Sequence, residues 1–112
     1  MPGHHSVPAV SAAEVESDAY LLDVREADEW VAGHAPGAHH IPMMEIPSRL
    51  DEVPEVGDVV VVCRVGARSA QVVAYLRAGG RENVRNLDGG LIAWTVAGRP
   101  LVSEDGRAPE VA

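Results

Sequence analysis

The chain has a single cysteine, Cys63, which directly follows a run of valines at 59–62. Gly66 and two arginines, Arg64 and Arg68, come next, before a segment whose apolar residues recur at near-helical spacing. An unbroken β-branched run of this kind is typical of a strand covered on both faces, as in a parallel sheet. Ligands bind beyond the carboxyl ends of the strands in such sheets, so the segment after the cysteine is a candidate site.

The composition of this segment predicts a reactive thiolate. We expect the backbone N–H groups of residues 64–69 to curl around the sulfur, with a helix N-terminus behind them. This environment, together with two nearby arginines, favours the negatively charged thiolate, which is a nucleophile. The alternative is a structural cysteine, because a free thiol packs like a small hydrophobic side chain. A structural cysteine does not require the glycine and the arginines, so we favour the reactive interpretation.

The rest of the chain predicts an α/β fold, a three-layer sandwich with a mostly parallel central sheet, because predicted strands alternate with predicted helices. A capping box of Ser11 and Glu14 predicts the start of a helix. The other predicted elements are, in chain order, strand 19–24, a short helix in 25–33, a turn in 33–42, a helix of about two turns in 43–53, strand 59–63, helix 67–77, a strand within 82–90 and a short helix in 90–98.

Length, charge and cysteine content limit the class of protein. The 112 residues predict one domain at 7–102, with a flexible N-terminal end at 1–6 and a loose, polar C-terminal tail at 103–112. A net charge of −8 argues against nucleic acid and anionic membranes as partners, because both would repel the chain. One cysteine forms no internal disulfide, and the sequence contains neither a signal-peptide pattern nor an apolar run of about 20 residues. These features predict a cytoplasmic protein.

Four blocks of sequence resemble the rhodanese (sulfurtransferase) family, and they follow one another along the chain in the same order as in that family. The segment from Cys63 to Ser69, CRVGARS, is similar to the active-site loop of that family. The other three blocks are LLDVREADEW at 21–30, GHAPGAHHIP at 33–42 and NLDGGLIAW at 86–94. Together the four blocks span residues 21–94 and are highly specific, whereas Cys-x-x-Gly-x-Arg alone is a weak signal.

The resemblance implies a sulfurtransferase that works through a persulfide on Cys63. The thiolate would attack the outer, sulfane sulfur of a small anionic donor such as thiosulfate, or of a persulfide donor, and pass that sulfur to a thiol, a protein or cyanide. The loop amides would stabilise negative charge on the outer sulfur, and the two arginines would attract the donor. The resemblance implies no cofactor. The implied loop residues are Arg64, Val65, Gly66, Ala67, Arg68 and Ser69.

Two other functions remain as alternatives, and a phosphatase is placed well behind them. A phosphatase is disfavoured, because the related dual-specificity phosphatases have the longer loop Cys-x5-Arg, and only four residues separate Cys63 from Arg68 here. A sulfur-relay module would receive its persulfide from a partner protein. A non-catalytic rhodanese-like domain would serve binding or regulation, and the intact cysteine argues against it.

Several residues outside the loop are candidates for weaker reasons. Arg25 is a candidate for donor binding, and the alternative, which we favour, is an ion pair with Glu29 or another acid. His34, His39 and His40 suggest zinc, but no carboxylate or cysteine stands at ligand spacing, so we favour loop histidines without a metal. The sequence contains no glycine-rich nucleotide loop.

Overall fold

A five-stranded, all-parallel sheet forms the centre of the protein. The structure is a computed structural model, and it describes residues 7–112. The sheet order is β1-β5-β4-β2-β3, and the arrangement confirms the predicted fold class. The strands are β1 (Ala9–Val10), β2 (Tyr20–Asp23), β3 (His39–His40), β4 (Val59–Val62) and β5 (Val84–Leu87).

The central strand β4 explains the valine run. All four of its side chains are buried, and successive side chains of a strand point to opposite faces. Val59 and Val61 therefore join one hydrophobic cluster, while Val60 and Val62 join another on the other face of the sheet. Burial on both faces accounts for a strand without polar residues.

Helices cover both faces of the sheet. They are α1 (Ala27–Ala32), α2 (Ala67–Ala78) and α3 (Gly90–Val96). On one face, α2 buries Val73 and Leu76, and on the other α3 buries Leu91 and Trp94. The positions of these helices agree with the predicted ones. Within residues 7–112, none of the helices has both the length and the apolar character needed to cross a membrane.

Two predicted helices are shorter and tighter than expected. The capping box at Ser11 leads only to a 3₁₀ turn, Ala12–Glu14, because the Ser11 hydroxyl donates to the Glu14 carboxylate at 2.9 Å instead of capping the backbone. The helix expected in 43–53 consists of two 3₁₀ segments, Met43–Ser48 and Leu50–Glu52. Pro47 lies inside the first of them, and its missing N–H disfavours an α-helix there.

The C-terminal segment differs from the predicted loose tail. The backbone N–H of Glu104 donates to the Val31 carbonyl at 2.9 Å, and that of Glu110 donates to the Ala32 carbonyl at 3.0 Å. Val111 packs against one of the two core clusters. The last carbonyls of a helix have no partner within it, so residues 103–112 satisfy groups that α1 leaves open. The flexible end predicted at 1–6 lies outside the described residues.

Candidate active site

Cys63 follows β4 at the carboxyl end of the sheet, and three donor groups lie within hydrogen-bond distance of its sulfur. The donors are the N–H of Gly66 at 3.1 Å, the N–H of Ser69 at 3.4 Å and the Ser69 hydroxyl at 3.2 Å. The cysteine is only 1% exposed and belongs to one of the core clusters. Burial alone would suit a structural cysteine, but the N–H groups of Gly66 and Ser69 both donate to this sulfur, and the Ser69 hydroxyl is shared between it and Oδ1 of Asn86.

The remaining amides of the loop are free of protein acceptors. Within the described chain, the N–H groups of Arg64, Val65, Ala67 and Arg68 donate to no carbonyl or side chain. Arg64 and Val65 precede α2, and Ala67 and Arg68 are its first two residues, so these N–H groups belong to the open N-terminal end of a helix, which favours anions. The sequence predicts that all the loop amides surround the sulfur. The structure brings two of them onto Sγ and leaves these four without an acceptor in residues 7–112.

Gly66 makes the loop possible. Its φ of +103° lies in the left-handed region, which glycine adopts at little cost. This conformation directs the chain that follows the Gly66 N–H, the group that donates to the sulfur, into α2, which begins at Ala67. The glycine noted in the sequence is therefore required by the backbone.

The N-terminus of α3 holds the loop by two backbone hydrogen bonds. The sequence analysis did not predict this contact. The N–H of Leu91 donates to the Cys63 carbonyl at 2.9 Å, and that of Ile92 donates to the Arg64 carbonyl at 3.1 Å. Gly90 has a φ of +63°, and a Cβ on it would overlap both of those carbonyl groups. The two glycines in the block NLDGGLIAW are the sequence signal for this close approach.

Asn86, the third residue of β5, joins Ser69 to the Gly66 carbonyl, and the sequence analysis did not predict this role. Its Oδ1 forms a short hydrogen bond with the Ser69 hydroxyl, and its Nδ2 donates to the Gly66 carbonyl at 3.1 Å. Asn86 is 8% exposed, and Ser69 is fully buried. A polar side chain at the end of a strand next to β4 is the only signal in the sequence that points to it.

Arg68 is held by Glu29 of α1 in a bidentate ion pair. The two hydrogen bonds measure 2.8 and 2.9 Å, and the Glu29 side chain is 16% exposed. Hydrogen bonds from Arg68 are the main cause that lowers the pKa of Glu29 to about 2, and the same bonds raise the pKa of Arg68. Glu29 is therefore ionised at any pH near neutrality, and it balances the charge that the sequence assigns to donor attraction.

Arg64 differs from Arg68 in its surroundings. Its side chain is exposed and makes no hydrogen bond or ion pair with any residue in 7–112. Val65, beside it, is 53% exposed. Arg64 is thus the loop arginine whose charge is not balanced by a carboxylate of the described chain.

Arg25 is buried in an ion pair with Asp23, which is the alternative we favour from the sequence. Its Nε and Nη2 donate to the Asp23 carboxylate at 2.9 and 2.8 Å, and Nη2 also donates to the Gly33 carbonyl at 2.7 Å. The partner is Asp23 and not Glu29. Nη1 has no partner in residues 7–112, but Arg25 as a whole is 0% exposed, so it does not present its charge to a donor in solution.

His34, His39 and His40 each stack on an aromatic ring. His34 and His40 lie on Trp30, with ring centroids at 3.5 and 4.9 Å, and His39 stacks on Tyr20 at 4.1 Å. Among residues 7–112, no three His, Cys, Asp or Glu side chains are placed to hold a metal ion.

Comparison with known proteins shows one family. The model of the Rhodanese-like domain family matches residues 8–97. A sulfurtransferase of Allochromatium vinosum is 46% identical over 89 residues, which are 80% of this chain and 83% of that protein. A putative sulfurtransferase of Bacillus subtilis, YtwF, is 38% identical over 78% of this chain and 84% of its own length. A putative sulfur carrier protein of the same organism, YrkF, is 34% identical, and the match covers 80% of this chain and 52% of YrkF.

Solved structures show the same fold. The crystal structure of a rhodanese-related protein from Thermoplasma volcanium superposes with a TM-score of 0.79 at 28% identity. The match covers 86% of this chain and 98% of that one.

Proposed function

The chain belongs to the rhodanese-like domain family, and from this premise we propose that it transfers sulfur through a persulfide on Cys63. Membership and the sulfurtransferase relatives support a role in sulfur transfer. The observation that carries the persulfide step is the pair of backbone N–H groups, those of Gly66 and Ser69, that donate to the sulfur beside a Ser69 hydroxyl shared with Asn86. A sulfur atom surrounded in this way is suited to negative charge, which both half-reactions place on it.

The first half-reaction loads the enzyme. The Cys63 thiolate attacks the sulfane sulfur of thiosulfate, a new S–S bond forms to Sγ, and the S–S bond of the donor breaks. Sulfite leaves with the electron pair of that bond. No external oxidant or reductant takes part, because the two sulfurs exchange one S–S bond for another.

The second half-reaction unloads it. A small-molecule thiolate, a thiolate of an acceptor protein or cyanide attacks the outer sulfur, and the Cys63 thiolate is the leaving group. The outer sulfur extends about 2 Å beyond the buried Sγ, so this atom is the one that an acceptor must reach. The four unpaired amides of the loop are suited to stabilise its charge, as in an oxyanion hole.

Donor selectivity depends on the pairing of Arg68 with Glu29. With Arg68 neutralised, Arg64 is the loop charge available to attract an anionic donor. We expect Glu29→Gln to release the charge of Arg68 and to raise kcat/KM for thiosulfate about fivefold, the effect of one partly screened charge. The measurement is steady-state turnover with thiosulfate and with an uncharged organic trisulfide, whose kcat/KM should change little.

A matched control is available at the opposite end of the sheet. Asp58, which precedes β4, forms a similar bidentate pair with Arg85 at 3.1 and 2.7 Å. Asp58→Asn makes the same change in net charge without touching the loop, so it should leave both donors unaffected. An equal gain with both donors, or the same gain in Asp58→Asn, would contradict this role for Glu29.

Mass spectrometry tests the persulfide itself. After exposure of the purified protein to thiosulfate, we expect an adduct of about 32 Da, one sulfur atom, on Cys63. The adduct should disappear on addition of cyanide or a thiol, and it should not form on Cys63→Ser. Failure of wild-type protein to form the adduct with thiosulfate and with a persulfidated protein would refute the proposed function.

The similarity to a putative sulfur carrier protein favours a second candidate, a relay module. A relay would receive its sulfur from a persulfidated partner such as a cysteine desulfurase and would use thiosulfate poorly. The same experiment separates the two functions, because a relay forms the adduct only when the partner is present.

A further inference from the structure

Four residues of the site form a closed ring of hydrogen bonds. The Gly66 N–H and the Ser69 hydroxyl both reach the sulfur of Cys63, at 3.1 and 3.2 Å. The same hydroxyl contacts Oδ1 of Asn86, and Nδ2 of Asn86 returns to the Gly66 carbonyl at 3.1 Å. Each of the three side chains is more than nine-tenths buried, so water does not readily replace a missing partner.

The Gly66 carbonyl fixes the orientation of the Asn86 amide. A carbonyl oxygen only accepts hydrogen bonds, so the NH₂ end of the amide must face it. The Oδ1 end then faces Ser69, where it acts only as an acceptor. Asn86 therefore requires the hydrogen of the Ser69 hydroxyl.

That hydrogen has two competing acceptors, because one hydroxyl carries a single hydrogen. When Cys63 is a thiol, its S–H donates to the Ser69 oxygen, and the Ser69 hydroxyl donates to Asn86, so every group is paired. When Cys63 is a thiolate, the hydroxyl must turn to the sulfur and leave Oδ1 of Asn86 buried without a partner, or stay on Oδ1 and withhold its hydrogen from the sulfur. Either arrangement disfavours the thiolate.

From this competition we propose that Asn86 is a positioning residue that, through Ser69, biases Cys63 toward its uncharged forms. Those forms are the resting thiol and the loaded persulfide, in which Sγ carries no charge. The bias slows release of the stored sulfur, because unloading regenerates the thiolate. The inference builds on the proposed function in taking Cys63 as the nucleophile.

The test is a titration that needs no sulfur donor. Because the chain has one cysteine, the ultraviolet absorbance of the thiolate, corrected with Cys63→Ser, reports on this sulfur alone. We expect Asn86→Ala to lower the midpoint pH of thiolate formation by about one unit, since the Ser69 hydroxyl is then free to donate to sulfur. We also expect faster unloading of the persulfide in a pre-loaded sample.

A second background separates this role from a merely structural one. In Ser69→Ala there is no hydroxyl to release, so adding Asn86→Ala should not move the midpoint further. A general loosening of the loop would shift the midpoint in both backgrounds. Asn83→Ala is the matched control, because Asn83 also bonds backbone carbonyls, those of Pro54 and Gly57, and does not contact the loop.

Every variant leaves the charged groups around the loop unchanged, so their effect on the midpoint cancels. They are Arg64 and Arg68 on the loop, Glu26 and Glu29 at the start of α1, and the pair of Asp23, which ends β2, with Arg25. No shift in Asn86→Ala, an upward shift, or an equal shift in both backgrounds would overturn the proposal.

An infrared spectrum of the wild-type protein provides a measurement that does not depend on the folding of Asn86→Ala. Below the midpoint pH, the S–H stretch should lie at a lower frequency than that of a free thiol, and it should rise in Ser69→Ala. An S–H stretch at the free-thiol frequency in the wild type would contradict the chain of donors. Because neither the thiolate titration nor the infrared spectrum involves sulfur transfer, failure of these two measurements is distinguishable from failure of the proposed function.

Discussion

Cys63→Ser is expected to abolish sulfur transfer, with kcat/KM lowered about a thousandfold or more. A serine hydroxyl is nearly the same size as a thiol, but it is a poor nucleophile at neutral pH and forms no persulfide. The N–H groups of Gly66 and Ser69 have an oxygen to donate to in the variant, so we expect the fold to persist. The measurements are steady-state turnover of thiosulfate and cyanide, and thermal unfolding.

The absence of any second cysteine makes this result decisive. No other thiol of the chain can take over the reaction, and Cys63→Ala should be as inactive as the serine variant. Turnover retained in either variant would rule out Cys63 as the sulfur carrier.

Gly90→Ala is expected to give the second largest effect, on stability and on activity together. Its Cβ would overlap the carbonyls of Cys63 and Arg64, which are backbone atoms that cannot rotate away. Its φ of +63° adds strain for any L side chain. We expect the free energy of unfolding to fall by about 2–4 kcal/mol and turnover to fall at least tenfold, because the loop must move. Urea unfolding and steady-state kinetics check both effects.

Gly98 provides the control for strain without overlap. Its φ is +79°, but a Cβ there would meet nothing within 4 Å. Gly98→Ala should therefore cost only about 1 kcal/mol and leave turnover unchanged. Equal losses in the two variants would show that the contact between α3 and the loop does not position the sulfur.

The sheet and the loop are predictable from the sequence because their signals are local. A strand buried on both faces needs consecutive apolar residues, and Val59 to Val62 supply them in one stretch. The turn into α2 needs a left-handed residue, and Gly66 supplies it three positions after the cysteine. Both patterns lie within a dozen residues, so no knowledge of the rest of the fold is required.

The partners of the loop were not predictable, because they arrive from distant parts of the chain. Glu29 lies 39 positions before Arg68, and Asn86 lies 17 positions after Ser69. The sequence offers Glu29 as a partner for the nearby Arg25, whereas packing pairs it with Arg68 and leaves Arg25 to Asp23. Because acidic residues outnumber basic ones, each arginine has several carboxylates with which it could form an ion pair. The sequence does not say which of these ion pairs forms.

The hydrogen bonds from the C-terminal segment to α1 connect residues 103–112 to the helix that carries Glu29. A helix of six residues is too short to persist by itself, and the N–H groups of Glu104 and Glu110 fasten its final turn. Glu29 is the third residue of that helix. If residues 103–112 detached from α1, the helix would fray and the Glu29 carboxylate would separate from Arg68. On the role proposed for Glu29, substitutions within 103–112 are expected to change donor preference without altering Cys63 or residues 64–69.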